Sequence, residues 1–206
     1  MQNFVYLIGC EKTREAAVVD PAWNVPKIME AAAAENLKIR KIFVTHGHFD
    51  HTNGIQDLVS ATDAEVYVQD AETRWASLPP QNRRLVKGEE RVSVGSVDVT
   101  LMHTPGHTVG SQCLLLQDQL ISGDTLFVGT CGRCDFDESS PADLYRSLTR
   151  LKELDAETVF WPGHDYSDRP KDTIGRQRTT NPFLLCRSLP EFLRMVGVKS
   201  GADDGE

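Results

Sequence analysis

A chain of 206 residues with 40% hydrophobic and 25% charged residues is long enough for one sizeable core and has the balance of an ordinary globular protein. The net charge of −8 disfavours non-specific nucleic-acid binding, the longest apolar runs are only a few residues, and five cysteines at irregular spacing do not form a disulfide framework. The start, MQNFVYLIGCEKTR, lacks a basic n-region and a full apolar h-region, so the expectation is a cytoplasmic protein that engages neither nucleic acid nor a membrane.

In chain order the patterning predicts strands at Phe4–Ile8 and Ala16–Val19, a helix at Val25–Asn36, a strand at Lys41–Thr45 and a helix at Asn53–Ser60. A strand at Glu65–Val68 and a helix at Asp70–Trp75 follow, then strands at Arg91–Val94, Val97–Met102, Gln112–Leu116 and Gln119–Ser122. The last predicted elements are a helix at Pro141–Leu154, a strand at Thr158–Trp161 and a helix at Leu189–Val196. This mixture suggests two sheets packed face to face with helices outside, a layered α/β sandwich. No Pro/Ser-rich linker or internal repeat divides the chain, so one domain is expected over residues 1–200, followed by a disordered acidic tail at 201–206.

The polar residues fall in a regular place relative to the strands. KIFV is followed by Thr45, His46, Gly47, His48, Phe49, Asp50 and His51; VDVTLM by His103, Thr104, Pro105, Gly106 and His107; QLIS by Gly123 and Asp124; TVFW by Pro162, Gly163 and His164. Four apolar strands thus end in metal-capable residues, with glycine or proline beside each to let the backbone turn sharply. Converging strand ends are a normal place for an active site.

His46 and His48 are two residues apart, so on an extended backbone their rings project to one side and can share an ion. Asp50 and His51 lie past the turn, where the chain enters the next helix. Two half-sites follow: His46, His48 and His107 for one metal, and Asp50, His51 and His164 for the other, with Asp124 between them as a bridge. The nitrogen and oxygen donors suit two divalent ions, zinc first and iron or manganese as alternatives, and the set lacks the thiolates of a closed structural zinc site. Two ions about 3.5–4 Å apart can activate water and stabilise both attacking and leaving atoms. His103 is left out of the ligand set and read as a supporting or packed histidine. CGRC, from Cys131 to Cys134, is formally a CxxC, but no thioredoxin-like helix start follows it. Arg133, nine residues after Asp124, offers a planar guanidinium for a substrate carboxylate, set against a structural ion pair with Asp135, Asp137 or Glu138. Arg176 and Arg178 are weaker candidates of the same kind.

The stretches THGHFDHTNG, HTPGHTVGS, SGDTLF and WPGHD resemble, in this order, the successive motifs of the metallo-β-lactamase superfamily, and the similarity runs from NFVYLIG and VVDPA to TTNPFLL. The resemblance implies a four-layer αβ/βα sandwich with a metal site at one edge. Fold alone does not choose the reaction.

Two branches fit. Hydroxyacylglutathione hydrolases, the type II glyoxalases, use a binuclear site and a metal-bound hydroxide to cleave a glutathione thioester, and here Asp50 would also orient or deprotonate the attacking water. Persulfide dioxygenases share the motif residues but hold a single iron through the equivalents of His46, His107 and Asp124. CGRCDF resembles the CGRTDF stretch of the dioxygenases, and GHDY places Tyr166 where both branches present a tyrosine to glutathione; Arg133 and Tyr166 are accordingly the expected substrate-binding residues. Cys134 departs from the usual threonine, Phe183 stands where dioxygenases commonly carry an arginine, and TIGRQRTTNPFLL looks like the ending of compact glyoxalase-II-like hydrolases. The favoured reading is a metal-dependent hydrolase of a glutathione-type thioester, with the iron dioxygenase as the alternative and a non-catalytic metal-binding scaffold as a remote third.

Overall fold

The computed structural model describes residues 2–72 and 80–197. The first sheet takes strands β1 (Tyr6–Gly9), β2 (Glu15–Val19), β3 (Lys38–Phe43), β4 (Glu65–Gln69) and β5 (Arg83–Val86) side by side in that order. β1 pairs antiparallel with β2, and β2 to β5 run parallel. β2 reads EAAVV and is buried along nearly its whole length, the continuous apolar run expected of a parallel strand covered on both faces. Val18 and Ile42 face one core cluster and Ala17, Val19 and Phe43 face another, so alternation along each strand divides its apolar residues between the two layers.

The second half builds another sheet. It contains β6 (Glu90–Val94), β7 (Val97–His103), β8 (Gln112–Leu116) and β9 (Gln119–Gly123) as an antiparallel meander. A short hairpin of β10 (Leu126–Phe127) and β11 (Thr130–Cys131) follows. β12 (Val159–Pro162) then returns parallel to β9, and β13 (Asp172–Thr173) closes that edge.

Helices cover the two outer faces. α1 (Val25–Ala34), α2 (Phe49–Thr52) and α3 (Ile55–Thr62) belong to the first half, and α1 and α3 contribute Val25, Ala32, Ile55, Leu58 and Val59 to the core over β3. α4 (Pro141–Leu151), α5 (Ile174–Thr180), α6 (Pro182–Leu185) and α7 (Leu189–Met195) share a second cluster with Leu120 and Phe160. A third cluster, with Phe43, Val99, Leu101 and Leu114, lies between the sheets. The result is the expected helix–sheet–sheet–helix α/β sandwich. α4 shows why the sequence specifies it: Ser140 caps the N-terminus by accepting from the Asp143 amide, Pro141 occupies the first turn, and Leu144, Leu148 and Leu151 form a buried stripe at helical spacing.

Two sets of bonds tie the sheets together where the site lies. Gln112 donates its amide to the Thr45 carbonyl at 2.8 Å and its side-chain amide to the Val44 carbonyl at 2.7 Å, while its side-chain oxygen accepts from Gln69 at 3.0 Å. The N-terminal segment crosses to the end of β12, with the Phe4 amide donating to Gly163 at 2.9 Å and the Asp165 amide to Gln2 at 2.9 Å.

The structure amends the predicted elements at several points. Asp70–Glu72 form a turn, with the Glu72 amide bonded to Gln69, instead of the start of a helix; the rest of the predicted Asp70–Trp75 helix lies outside the described residues, as does the acidic tail. β5, α5, α6 and the two-residue strands were not foreseen, because RRLV, IGRQRTT and PFLL carry neither strand alternation nor an apolar stripe at helical spacing, and two residues show no period at all. His103 is not packed in the core: its ring meets the Val109 carbonyl at 2.9 Å. Of the two weaker arginine candidates, Arg178 donates to the Lys152 carbonyl at 2.6 Å, and Arg176 pairs with Asp172 at 3.5 Å. No helix among the described residues is long and apolar enough to cross a membrane.

Asn181 is the buried fastener of the β10–β11 hairpin. Its side-chain amide donates to the Phe127 and Thr130 carbonyls at 3.3 and 3.0 Å, and its side-chain oxygen accepts from the Phe183 amide at 3.0 Å. Asn181→Ala removes these bonds and strands buried partners, so urea unfolding should show a loss of about 2–3 kcal/mol; a loss near zero would mean that the hairpin does not depend on them.

Candidate metal centre

β2, β3, β9 and β12 deliver their following residues to one edge of the sandwich, and the β7–β8 loop reaches the same place. From β3 come His46 and His48; the latter precedes α2 with extended backbone at φ −66 and ψ 145, and the first turn of α2 then carries Asp50 and His51. His107 comes from the β7–β8 loop, Asp124 directly after β9, and His164 two residues after β12.

All seven predicted residues meet. Ligand-capable atoms of His46, His48 and His107 lie within 4.8 Å of one another, as do those of Asp50, His51 and His164. In the first set His48 Nδ1 stands 3.1 Å from His46 Nε2 and 3.0 Å from His107 Nε2. In the second, His51 Nε2 and His164 Nε2 are 3.1 Å apart, with Asp50 Oδ2 at 3.8 and 3.5 Å from them. Asp124 spans both: Oδ2 is 3.6 Å from His107 Nε2 and 3.3 Å from His164 Nε2, and Oδ1 is 3.5 Å from His51 Nε2.

The hydrogen bonds behind the rings determine what each ring presents. Asp20, immediately after β2, accepts from the Thr45 amide at 2.7 Å through Oδ1 and from the Thr45 hydroxyl at 2.5 Å through Oδ2. Having given its proton to Asp20, the Thr45 hydroxyl can only accept from His46 Nδ1, 3.0 Å away. His51 Nδ1 lies 3.0 Å from the same Asp20 Oδ2, and His107 Nδ1 lies 2.7 Å from the Arg133 carbonyl, which can only accept. Each of these three rings therefore carries a proton on Nδ1 and turns Nε2 to the centre; His46 and His107 present it bare, while His51, raised by Asp20, has to give up its Nε2 proton to a metal. His48 is turned the other way, with Nδ1 inward and Nε2 3.6 Å from Glu138.

The donor set fits a divalent cation. Asp124 Oδ1 is buried with no hydrogen-bond partner among the described residues, and ring nitrogens with convergent lone pairs repel unless a cation lies between them. Electrostatics agrees. Burial, reinforced by the neighbouring histidines, holds His46 well below the usual histidine range, and burial likewise lowers His107 against the pull of Asp124. Burial would lower His51 too, but the hydrogen bond and charge of Asp20, with Asp124 and Asp50, raise it to about 9. Burial would raise Asp124, yet contact with His164 and the charges of His51 and His107 keep it below the usual carboxylate range.

The two predicted substrate residues stand at the rim. Tyr166 stacks on His164 at 4.7 Å and 7°, and burial with the charges of Asp124 and Asp50 raises its phenol. Arg133 contributes its backbone carbonyl to the centre, while its guanidinium is held bidentate by Asp135 at 2.9 and 2.8 Å and lies over the Phe136 ring. Cys131 and Cys134 are free thiols, both raised by burial, and neither belongs to the clusters above.

Sequence reasoning missed Asp20, Asn3 and Phe136. Asn3 donates to Asp50 Oδ2 at 2.9 Å, and Phe136 lies edge-on to His48 and His107. Asp20 was findable, since AVVD is one more apolar strand ending in a carboxylate. Asn3 gives no such sign, because only the tertiary crossing of the N-terminus brings it here.

The family model for the metallo-β-lactamase superfamily matches residues 1–164. The chain belongs to this superfamily. The hydroxyacylglutathione hydrolase of Rhodospirillum rubrum is 37% identical over 95% of this chain and 75% of its own length. The Bacillus subtilis protein named "Probable polyketide biosynthesis zinc-dependent hydrolase PksB" is 31% identical over 84% of this chain and 77% of its own. Among solved structures, ETHE1 from Myxococcus xanthus superposes with a TM-score of 0.86 at 35% identity, covering 95% of this chain and 85% of that one. The superfamily fold, the clustered donors and the zinc-dependent relative together support divalent-metal binding.

Asp20→Asn tests the proton-positioning network. In the metal-free protein the His51 titration should move down from about pH 9 toward its ordinary range by NMR. Affinity for zinc should drop about 10- to 100-fold by competition with a chelating dye. Unchanged values for both would reduce Asp20 to a loop fastener.

Proposed function

We propose that this protein is a metal-dependent hydrolase of glutathione-type thioesters. The observation that carries this reading is the pair of complete half-sites joined by Asp124, in a chain 37% identical to a hydroxyacylglutathione hydrolase over 95% of its length. His46, His48 and His107 would hold one ion, and Asp50, His51 and His164 the other, with Asp124 shared. Zinc is the proposed metal, two ions per chain. When bound, such ions supply a Lewis acid and lower the pKa of water from about 15.7 to about 7.

The chain's own residues do the rest. Asp50, held by Asn3 at the rim of the second half-site, orients the attacking water and takes its proton. Tyr166 and Arg133 bind the thiol portion. The exposed Arg133–Asp135 pair is solvent-screened, so a substrate carboxylate can replace Asp135 at little cost. A thiolate leaves without a strong general acid, and the centre accordingly needs no further proton donor.

The iron-dependent persulfide dioxygenase is kept as a second reading because ETHE1 superposes over 95% of the chain, and because His46, His107 and Asp124 suffice for a single ion. One preparation separates the two. Elemental analysis should find about two zinc per chain, S-lactoylglutathione should be cleaved, and glutathione persulfide should cause no oxygen uptake. One iron per chain with rapid oxygen uptake and no thioester cleavage would replace the hydrolase with the dioxygenase. Asp124→Ala, which removes a donor from both half-sites, should lower metal retention and turnover by at least about a hundredfold.

A further inference from the structure

Two large aromatic side chains beside the centre have no part in the chemistry proposed above. Trp23 and Phe49 are 57% and 70% exposed and meet edge to face at 6.0 Å and 83°. Trp23 sits in the left-handed region at φ +62, which a bulky residue rarely adopts and which points to a function outside packing. It is held there on two sides. Its amide donates to Asn53 Oδ1 at 2.6 Å, and its indole N–H donates to Asn3 Oδ1 at 3.4 Å. Asn3 in turn donates to the Asp50 carbonyl and carboxylate at 3.0 and 2.9 Å, and Phe49 immediately precedes Asp50. One side chain thus links the indole to the second half-site.

Beside Trp23 runs a groove of about 340 Å³, lined by Asn3, Val5, Leu7, Ala22, Trp23 and Ile28, with Phe49 outside it and packed on the Trp23 ring. Lys27 is the one charged side chain in its wall. Two exposed rings, one of them on a strained backbone, do nothing for the core, because glycine at 23 would relieve the strain and a polar residue at 49 would remove apolar surface from water. Both features make sense if something apolar covers the rings when the site is in use.

We infer that Trp23 and Phe49 form the acyl-side wall of the substrate site, and that the groove receives an apolar acyl chain longer than a lactoyl group. This rests on the thioester-hydrolase reading. Tyr166 and Arg133 approach from His164 and His107 and take the thiol portion; the aromatic pair approaches from Asp50 and takes the acyl portion. The substrate class is therefore medium-chain or aryl acyl thioesters, in preference to small hydroxyacyl ones.

The test uses binding and turnover on the metal-loaded protein. S-hexylglutathione and S-methylglutathione are compared by calorimetry, and hexanoyl- and acetylglutathione by kcat/KM. A methylene taken out of water raises affinity about fourfold at most, so the five extra methylenes of the hexyl ligand and the four of the hexanoyl substrate, partly covered, should favour the longer member at least about tenfold in both comparisons. Trp23→Ala and Phe49→Ala should each bring that ratio below threefold, while Trp23→Phe keeps most of it. Should one variant fail to fold, the other carries the test. A wild-type ratio below threefold, or a preference that survives both alanine variants, overturns the inference. If S-hexylglutathione binds tenfold more tightly, the variants abolish this, and no thioester is cleaved, the groove stands and the hydrolase reading falls.

Discussion

The site depends on one buried carboxylate. Asp20 is almost fully buried, and its two oxygens are taken by the Thr45 amide, the Thr45 hydroxyl and the His51 ring. Leaving such a charge unsatisfied would cost several kcal/mol, so these donors are not optional. Their directions settle the tautomers of His46 and His51 in turn. Rings placed by strand geometry alone could present either nitrogen; rings backed by Asp20 and Thr45 present Nε2.

The rest of the fold can be understood as what lets this cluster form. Burial opposes the protonation of His46, and the closely packed imidazoles around it deepen the effect. Only a scaffold stable elsewhere can hold them together. Three apolar layers supply that stability, and the strand ends are left free to carry polar chemistry. Close backbone approach completes the arrangement. A Cβ at Gly132 would lie 1.8 Å from the Asp124 carbonyl, and one at Gly163 would lie 2.3 Å from Asp124 Oδ1, so glycine is required where the hairpin and the β12 loop close around the bridge residue.

Much of this was legible in the sequence, for identifiable reasons. Strand ends could be read because apolar runs stop abruptly just before the segments that carry His46, His107, Asp124 and His164, and spacing then paired His46 with His48. The layer order followed from strands alternating with amphipathic helices. What escaped was set by tertiary contact. The crossing of the N-terminus that delivers Asn3 is two backbone hydrogen bonds and a bridge, with no local pattern. Arg133 illustrates a subtler limit: its position near the centre could be anticipated, but only the structure shows that its carbonyl orients His107 while its guanidinium is held by Asp135. One residue thus carries two parts, and the part that touches the centre is invisible to side-chain reasoning.

The same ligand shell suits a binuclear hydrolase and a mononuclear oxidase, so the choice turns on what distinguishes the half-sites. The first is made of three imidazoles and the second of two imidazoles and Asp50, and Asp124 adds a carboxylate between them. An ion in the second half-site is thus closer to charge balance than one in the first, and Asn3 adds a hydrogen bond that holds the Asp50 carboxylate in place. Because dioxygenases share these motif residues, the second half-site does not by itself choose the reaction; the Asn3 bonds to Asp50 and to the Trp23 indole hold a carboxylate ready there, and the number of ions the site takes is the property that separates the two readings.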